Sequence, residues 1–522
     1  MLIKIALLLL FFTVMVGIGL YFRKRNTDVN SFVLGGRSVG PWLSAFAYGT
    51  SYFSAVVFVG YAGQFGWKFG ISAVWIGLGN ALIGSMLAWV VLGRRTRIMT
   101  HHLGSATMPE FFGSRFASKN LKIAASIITF VFLIPYTASL YNGLSRLFAM
   151  AFDIDFTVCI IVMAILTCVY VIAGGYVATA ANDFIQGIIM LFGIVAVVAA
   201  VLRVNGGFTS SLNALAGVSD STVSTTPGIF ASFFGPDPLN LLGVILLTSI
   251  GTWGLPQMVT KFYAIKSEHS ISKGTIISTI FAVVVSGGCY FLGGFGRLFS
   301  DKVNVAAEGF DAIVPAMLSG FSPLLIGIVV ILVLSASMST LSSLVMTSAS
   351  TFTLDFVKDN FVKKMSDKKQ LLSIRIMIAI FVIISSIIAI IQYKGGITFI
   401  AQLMGISWGT LAGSFLAPFL YGLYWKRTTK AAVWTSFLFS TLFMVANILF
   451  KSAFPAILQS PINAGAFTML ASLLIVPIVS LLTPPPAKDM VEGVFACYKR
   501  PVIVEAKESL GEDSENVTGE NA

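Results

Sequence analysis

Apolar runs of about 18 to 25 residues, each long enough to cross a hydrocarbon core of about 30 Å, recur along the chain through residue 483. Short polar or basic loops separate them. Thirteen runs are predicted, at 2–22, 41–64, 71–92, 123–150, 156–174, 182–203, 239–262, 274–297, 322–356, 373–393, 397–422, 430–450 and 464–483. Each reads as a spanning helix, because hydrocarbon offers the backbone no partner outside its own turns. The first run is followed by its charges (RKR, 23–25) and lacks a small-residue cleavage pattern, so a span is expected there rather than a signal peptide.

Composition agrees with this class. Of 522 residues, 56% are hydrophobic and 11% charged, with mean hydropathy +0.89, too few charges to cover a soluble surface. Soluble enzymes and nucleic-acid modules are excluded on that ground. The net charge of +12 is spread through loops instead of forming one basic face. With thirteen spans, about 26 of the 34 Lys and Arg fall on one side, including RRTR (94–97) and Lys261 with Lys266 and Lys273. That side is expected to be cytoplasmic, placing the N-terminus outside and the tail, 484–522, inside. The tail runs from TPPP to GEDSENVTGENA and is expected to be disordered. Outer loops at 205–240 and 299–323 read as solvated caps or gates. Four single cysteines and three loop histidines indicate neither a disulfide framework nor a metal centre.

Two runs carry helix breakers at mid-depth. The run 41–64 has Gly49, Thr50, Ser51 and Ser54; the run 239–262 has Gly251, Gly254 and Pro256. Backbone exposed there costs several kcal/mol per group unless protein, water or an ion satisfies it, and paired breaks point to a transport site. They lie five spans apart in opposite predicted directions, the arrangement two inverted five-helix repeats produce. Close packing or a simple kink is the plainer explanation for a single break. The run 322–356 adds a hydroxyl face: Ser335, Ser339 and Ser342 share one stripe, with Ala336, Thr340, Ser343 and Thr347 beside it. Hydroxyls bonded back to their own helix explain one serine better than six hydroxyls in nine positions. Desolvated sodium needs about five or six oxygens, which such hydroxyls and unwound carbonyls supply. Asp183, in AANDFIQG, is conspicuous as a carboxylate at the entrance to a span; a helix-end residue balancing the dipole is the alternative. Arg146 and Tyr136 are ambiguous in the same way.

These residues stand within a series of motifs: FVLGGRSVGPW (32–42), MPEFFGSRF (108–116), AGGYVATAANDFIQG (173–187), GLPQMVTKFYA (254–264), SMSTLSS (337–343), TLDF (353–356) and LYWKR (423–427). In this order and spacing the chain resembles the sodium:solute symporter family, which includes bacterial proline, pantothenate, sialic acid and sugar symporters. The resemblance implies an all-α membrane fold with a ten-helix leucine-transporter-type core of two inverted repeats, 41–203 and 239–422. One helix, 1–22, precedes the core, two peripheral helices, 430–483, follow it, and a tail at 484–522 completes the chain. It implies a sodium site formed by carbonyls of Thr50, Phe53 and Ala336 with the hydroxyls of Ser339 and Thr340. A second sodium site, found in some members, matches Asp183, Ser339, Ser342 and Ser343. The approximate solute lining it implies is Val56, Gly60, Tyr136, Trp253, Pro256, Gln257 and Trp408. The chain departs from proline symporters at Tyr52, Thr248 and Thr252, which leaves the solute class open.

The expected function is sodium-coupled import of a small organic solute, such as an amino acid or carboxylate, by alternating access in the cytoplasmic membrane. No cofactor beyond Na+ as coupling ion, no nucleic-acid partner and action as a monomer are expected. Two Na+ are expected to move with each solute, because Asp183 and the hydroxyls of Ser342 and Ser343 are all present. A proton-coupled or channel-like protein on the same fold is the rival reading. A membrane sensor is the other, and the tail of about 39 residues holds no signalling module for it.

Overall fold

Helix starts are written in capping residues. Ser118, Asp155, Asp237 and Ser322 each precede a helix and turn a side-chain oxygen onto a free N–H of its first turn. Proline stands at the start of helices beginning at Pro41, Pro238, Pro256, Pro323 and Pro461, where its missing N–H costs nothing. The computed structural model describes residues 2–22, 28–362, 365–395 and 400–499. The RKR run at 23–25 and the acidic end of the tail lie outside them.

The principal helices are α1 (Leu2–Phe22), α2 (Pro41–Tyr52), α3 (Val56–His102), α4 (Lys119–Phe152), α5 (Phe156–Val204), α6 (Pro238–Ile250), α7 (Pro256–Tyr263), α8 (Glu268–Gly294), α9 (Pro323–Thr351), α10 (Asp367–Gly395), α11 (Ile400–Tyr424), α12 (Lys430–Leu449), α13 (Pro461–Leu482) and α14 (Lys488–Phe495). Among the described residues the only β pairings are two isolated bridges, Val39 with Ile265 and Asp220 with Ser224. Nine helices there are long and apolar enough to cross a membrane, ten when the 46° bend between α6 and α7 is taken as one broken span.

Two long helices are interrupted by glycine. In α3, Gly70 has φ 63° and ψ −143°, and a Cβ there would stand 2.0 Å from the Phe230 carbonyl oxygen, so only glycine fits. In α5, Gly175 has φ 61° and ψ −177°. Close approach also joins α3 to α8: a Cβ on Gly66 would lie 1.9 Å from the Gly293 oxygen. Backbones meet this closely in membranes because small residues permit packing that lipid cannot match.

The stretches containing α9 and α11 form the centre, with 78% and 83% of their most apolar windows buried, against 39% for α10, α12 and α13. The outer helices turn Ile383, Ile391, Leu442 and Leu474 outward, as a lipid face requires. The hydroxyl-rich helix is therefore the central one, packed against α4 and α5.

Three expectations are corrected. The tail folds as far as residue 499: α14 buries Val491, Val494 and Phe495, and the cations Arg115 and Lys426 sit over the Phe495 ring. A few apolar residues in a polar segment sufficed for docking. The loop 205–240 contains a helix, Phe208–Ala216, and Asp220 in it pairs with Arg297 at 3.0 Å. Arg297 in turn lies 3.8 Å from the centroid of buried Phe230. Lys261, read as a loop charge, is buried on α7.

Candidate functional site

The first break opens where α2 ends. Phe53 is extended (φ −105°, ψ 108°), and its N–H closes the last turn on Gly49. The Thr50 carbonyl receives hydroxyls from across the core: Ser339 Oγ at 3.0 Å and Thr340 Oγ1 at 3.1 Å. Both also lie near carbonyls of their own helix, Ser339 at 3.1 Å from Ser335 and Ala336, Thr340 at 3.0 Å from Ala336. The Ser51 carbonyl lies 3.5 Å from Thr340 Oγ1. Two hydroxyl hydrogens thus face four carbonyl oxygens, an excess of acceptors whose chemistry fits a hard cation. The Thr50 hydroxyl bonds back to Phe46, so its carbonyl is the oxygen offered. Phe53 stacks on Tyr52 with ring centroids 4.2 Å apart. The predicted set Thr50, Ala336, Ser339 and Thr340 is thus assembled, with Phe53 at the break itself.

One turn along α9 lies the second predicted set. Ser342 Oγ donates to the Ser339 carbonyl at 2.9 Å, and the Ser343 and Ser51 hydroxyls are 2.7 Å apart. Asp183 is fully buried, although the sequence placed it at a span entrance. Lys261 enters this group: Nζ donates to Ser343 Oγ at 2.8 Å, lies 4.0 Å from Asp183 Oδ2, and sits 5.3 Å from the centre of the Tyr176 ring. Sequence reasoning missed it. The available signal was its spacing, one helical turn after Gln257 inside GLPQMVTKFYA, which puts both on one face of α7.

The predicted solute residues divide. Val56, Tyr136, Pro256, Gln257 and Trp408 are all buried in the core. Tyr136 meets Trp408 edge to face at 5.9 Å, and Trp408 lies 6.0 Å from Tyr52. Both polar ends of Gln257 lack hydrogen-bond partners, a costly condition for a buried amide and an invitation to a polar ligand. Trp253 goes elsewhere: its Nε1 donates to the Ile83 carbonyl at 3.1 Å, and its ring packs with Ala412, Leu416 and Met469. Tyr52, where the chain departs from proline symporters, donates its hydroxyl to the Thr248 carbonyl and so ties the two broken helices together.

Tight packing flanks this centre. A Cβ on Gly60 would meet the Ile400 side chain at 2.7 Å, and Asp311 holds the Ile400 N–H at 3.2 Å with Arg146 at 4.0 Å. Burial pushes the Asp311 carboxyl above its usual range while the Arg146 charge opposes the shift. Toward the face bearing α14, a cavity of about 20 Å³, room for about one water, runs past Gln257, Lys261, Ser343 and Ser350 to Thr107. Thr107 Oγ1 donates to Asp355 at 2.5 Å there, joining MPEFF to TLDF.

Comparison with known proteins shows the family and the fold. The family model described as the sodium:solute symporter family matches residues 32–438. The chain is similar to the osmoregulated proline transporter OpuE of Bacillus subtilis (strain 168), 28% identical over 483 residues, covering 92% of this chain and 94% of that one. It is similar to the sodium/proline symporter of Staphylococcus aureus (strain JH9), 31% identical over 431 residues and 81% of each chain. In fold it resembles a Na+-coupled sialic acid symporter solved substrate-bound and outward-open, with TM-score 0.71, 18% identity and coverage of 93% of this chain and 99% of that one. It also resembles a nucleobase-cation-symport-1 family transporter in a closed conformation, with TM-score 0.52, 13% identity and coverage of 89% and 97%.

Proposed function

This chain belongs to the sodium:solute symporter family, and from that premise we propose that it imports a small amino acid or carboxylate across the cytoplasmic membrane by alternating access. It is a multi-pass membrane transporter, not an enzyme, and Na+ is its coupling ion. The observation that carries the reading is the Thr50 carbonyl, released by the break in α2 and met by the hydroxyls of Ser339 and Thr340. An ion held between α2 and α9 ties a solute-side helix to the central one, so its binding free energy is available to shift conformational populations.

The proposal includes thirteen crossings, with the N-terminus outside and the tail in the cytoplasm. Breaks at Gly70 and Gly175 support it by dividing two helices that are each too long for one crossing. The core is proposed as residues 41–422 in two inverted repeats, 41–203 and 239–422, with 1–22 and 430–483 outside it, the whole acting as a monomer. The sodium site is proposed at Thr50, Phe53, Ala336, Ser339 and Thr340, and a second cation position at Asp183, Ser339, Ser342 and Ser343. Solute is proposed to sit among Val56, Gly60, Tyr136, Trp253, Pro256, Gln257 and Trp408. The proline relatives favour an amino acid, and the unpartnered Gln257 amide suits its carboxylate or amine.

Uptake of labelled amino acids and small carboxylates into proteoliposomes tests the reading. Accumulation of one of them is expected only with an inward Na+ gradient. Uptake that follows an imposed proton gradient and ignores Na+ would refute it in favour of the proton-coupled alternative.

A further inference from the structure

Asp183 is the only acidic side chain on α2, α5, α7 or α9, so the buried core around the second hydroxyl set holds a single negative charge. A carboxylate in such surroundings requires a compensating cation. Lys261 supplies one from α7. Lys261 is 4% exposed, and its ammonium lies 4.0 Å from Asp183 and donates to Ser343 Oγ at 2.8 Å. The ammonium also sits over the Tyr176 ring, 5.3 Å from its centre, which places the charge between α5 and α9.

We infer that the Lys261 ammonium is the resident cation of the second position, standing where a second Na+ would bind, so that this chain couples one Na+ to each solute. The inference rests on the sodium reading above only for the identity of the remaining site. Three features lead to it. The charges already balance, one carboxylate to one ammonium, so an added Na+ would leave a buried positive charge without a partner. Geometry excludes company: a Na+ bound at about 2.4 Å from Ser343 Oγ would lie within roughly 5 Å of Nζ, which bonds the same oxygen at 2.8 Å, so two like charges would share one ligand. Finally, the Ser343 hydroxyl accepts from Lys261 and shares a hydrogen bond of 2.7 Å with the Ser51 hydroxyl, so it links the ammonium to the break in α2. A fixed charge thus contributes to the helix arrangement what an ion would otherwise contribute transiently.

The consequence for transport is large. At about 100 mV and a tenfold sodium gradient, one ion supports roughly several-hundredfold accumulation of a neutral solute, and two support on the order of 10⁵-fold.

Equilibrium binding of radiolabelled Na+ to the purified full chain tests the inference without a known solute. One Na+ per wild-type chain is expected. Lys261→Gln, which keeps a polar side chain but removes the charge, is expected to bind two, and Lys261→Gln with Asp183→Asn to return to one. Asp183→Asn alone is expected to keep the wild-type count. Two Na+ on the wild type, a loss of one in Asp183→Asn, or no gain in a monodisperse Lys261→Gln would each overturn the inference. If Lys261→Gln does not fold, the wild-type and Asp183→Asn counts decide. A wild type that binds no Na+ would refute the sodium reading and with it the coupling of one Na+ to each solute, whereas a gain of one in Lys261→Gln would still support the Lys261 ammonium as occupant of the second position.

Discussion

The two helix breaks look alike in sequence and behave differently. At the α2 break the Thr50 carbonyl gets no backbone N–H and faces hydroxyls that rotate among several acceptors. At the α7 break the Leu255 carbonyl accepts from Met258 and Val259 N–H groups, both at 3.0 Å, just as the Ser54 carbonyl at the first break accepts from Val57 and Phe58, but no hydroxyl from the central helix reaches it; Pro256 has no N–H to place. Gly254 there is pressed against α11, where a Cβ would stand 2.7 Å from the Leu416 nitrogen. A break is therefore not a binding site by itself. What distinguishes the first is a carbonyl met by two hydroxyls of the central helix; what the second contributes is a face carrying Gln257 and Lys261 into the core.

The strongest way to break this comparison is the double variant Ser339→Ala with Thr340→Ala. Each hydroxyl lost is worth about 1 to 1.5 kcal/mol, so the Na+ concentration for half-maximal binding should rise roughly 30- to 150-fold. Folded yield should hold, and an unchanged Na+ dependence would make the first break as structural as the second. Next comes Gly254→Ala. Its Cβ meets backbone that cannot swing aside, so overpacking should cost about 2 kcal/mol and lower the thermal midpoint, while the folded fraction keeps its Na+ affinity. A loss of Na+ affinity instead would give the second break a direct role at the ion.

Ser343→Ala sharpens the link between the two. It removes the acceptor of the Lys261 ammonium and the contact to Ser51, a loss of about 1.5 kcal/mol by the scale for charged hydrogen bonds, seen in thermal unfolding. Ser335→Ala, whose hydroxyl lacks a partner, should show no such loss. The smallest effect belongs to Asp220, far from both breaks. A hydrogen bond from the Thr222 hydroxyl, then Arg297, holds its carboxyl below the ordinary range. Its contribution is present above the unfolded value near about pH 4 and disappears as pH falls through the lower folded value. Partly exposed, it is worth under about 1 kcal/mol; Asp220→Asn should flatten that acid-side slope of the thermal midpoint without touching Na+ binding.

Much of the candidate site was legible because its elements are local. The glycines and serines near Thr50 and the hydroxyl stripe at 335–343 announce a break and a polar helix face within one segment each. The direction of the Trp253 ring was not legible, because a residue beside a break can leave on either side of the helix, and neighbours on α11 and α13 decided which. The docked α14 was missed for a similar reason: Phe495 is one ring in a polar segment until Arg115 and Lys426 cover it.

By itself the sequence determined that this chain lives in a bilayer, where its helices run, and which two of them break, since each follows from hydrophobic length or from residues that cannot continue a helix. Only the tertiary structure decided what the breaks face. Asp183 lies on α5, Lys261 on α7 and Ser343 on α9, and their meeting depends on the packing of helices some eighty residues apart. A lysine near a helix end has the same local sequence whether it reaches water or a buried carboxylate; the difference is the partner, and partners are fixed by packing.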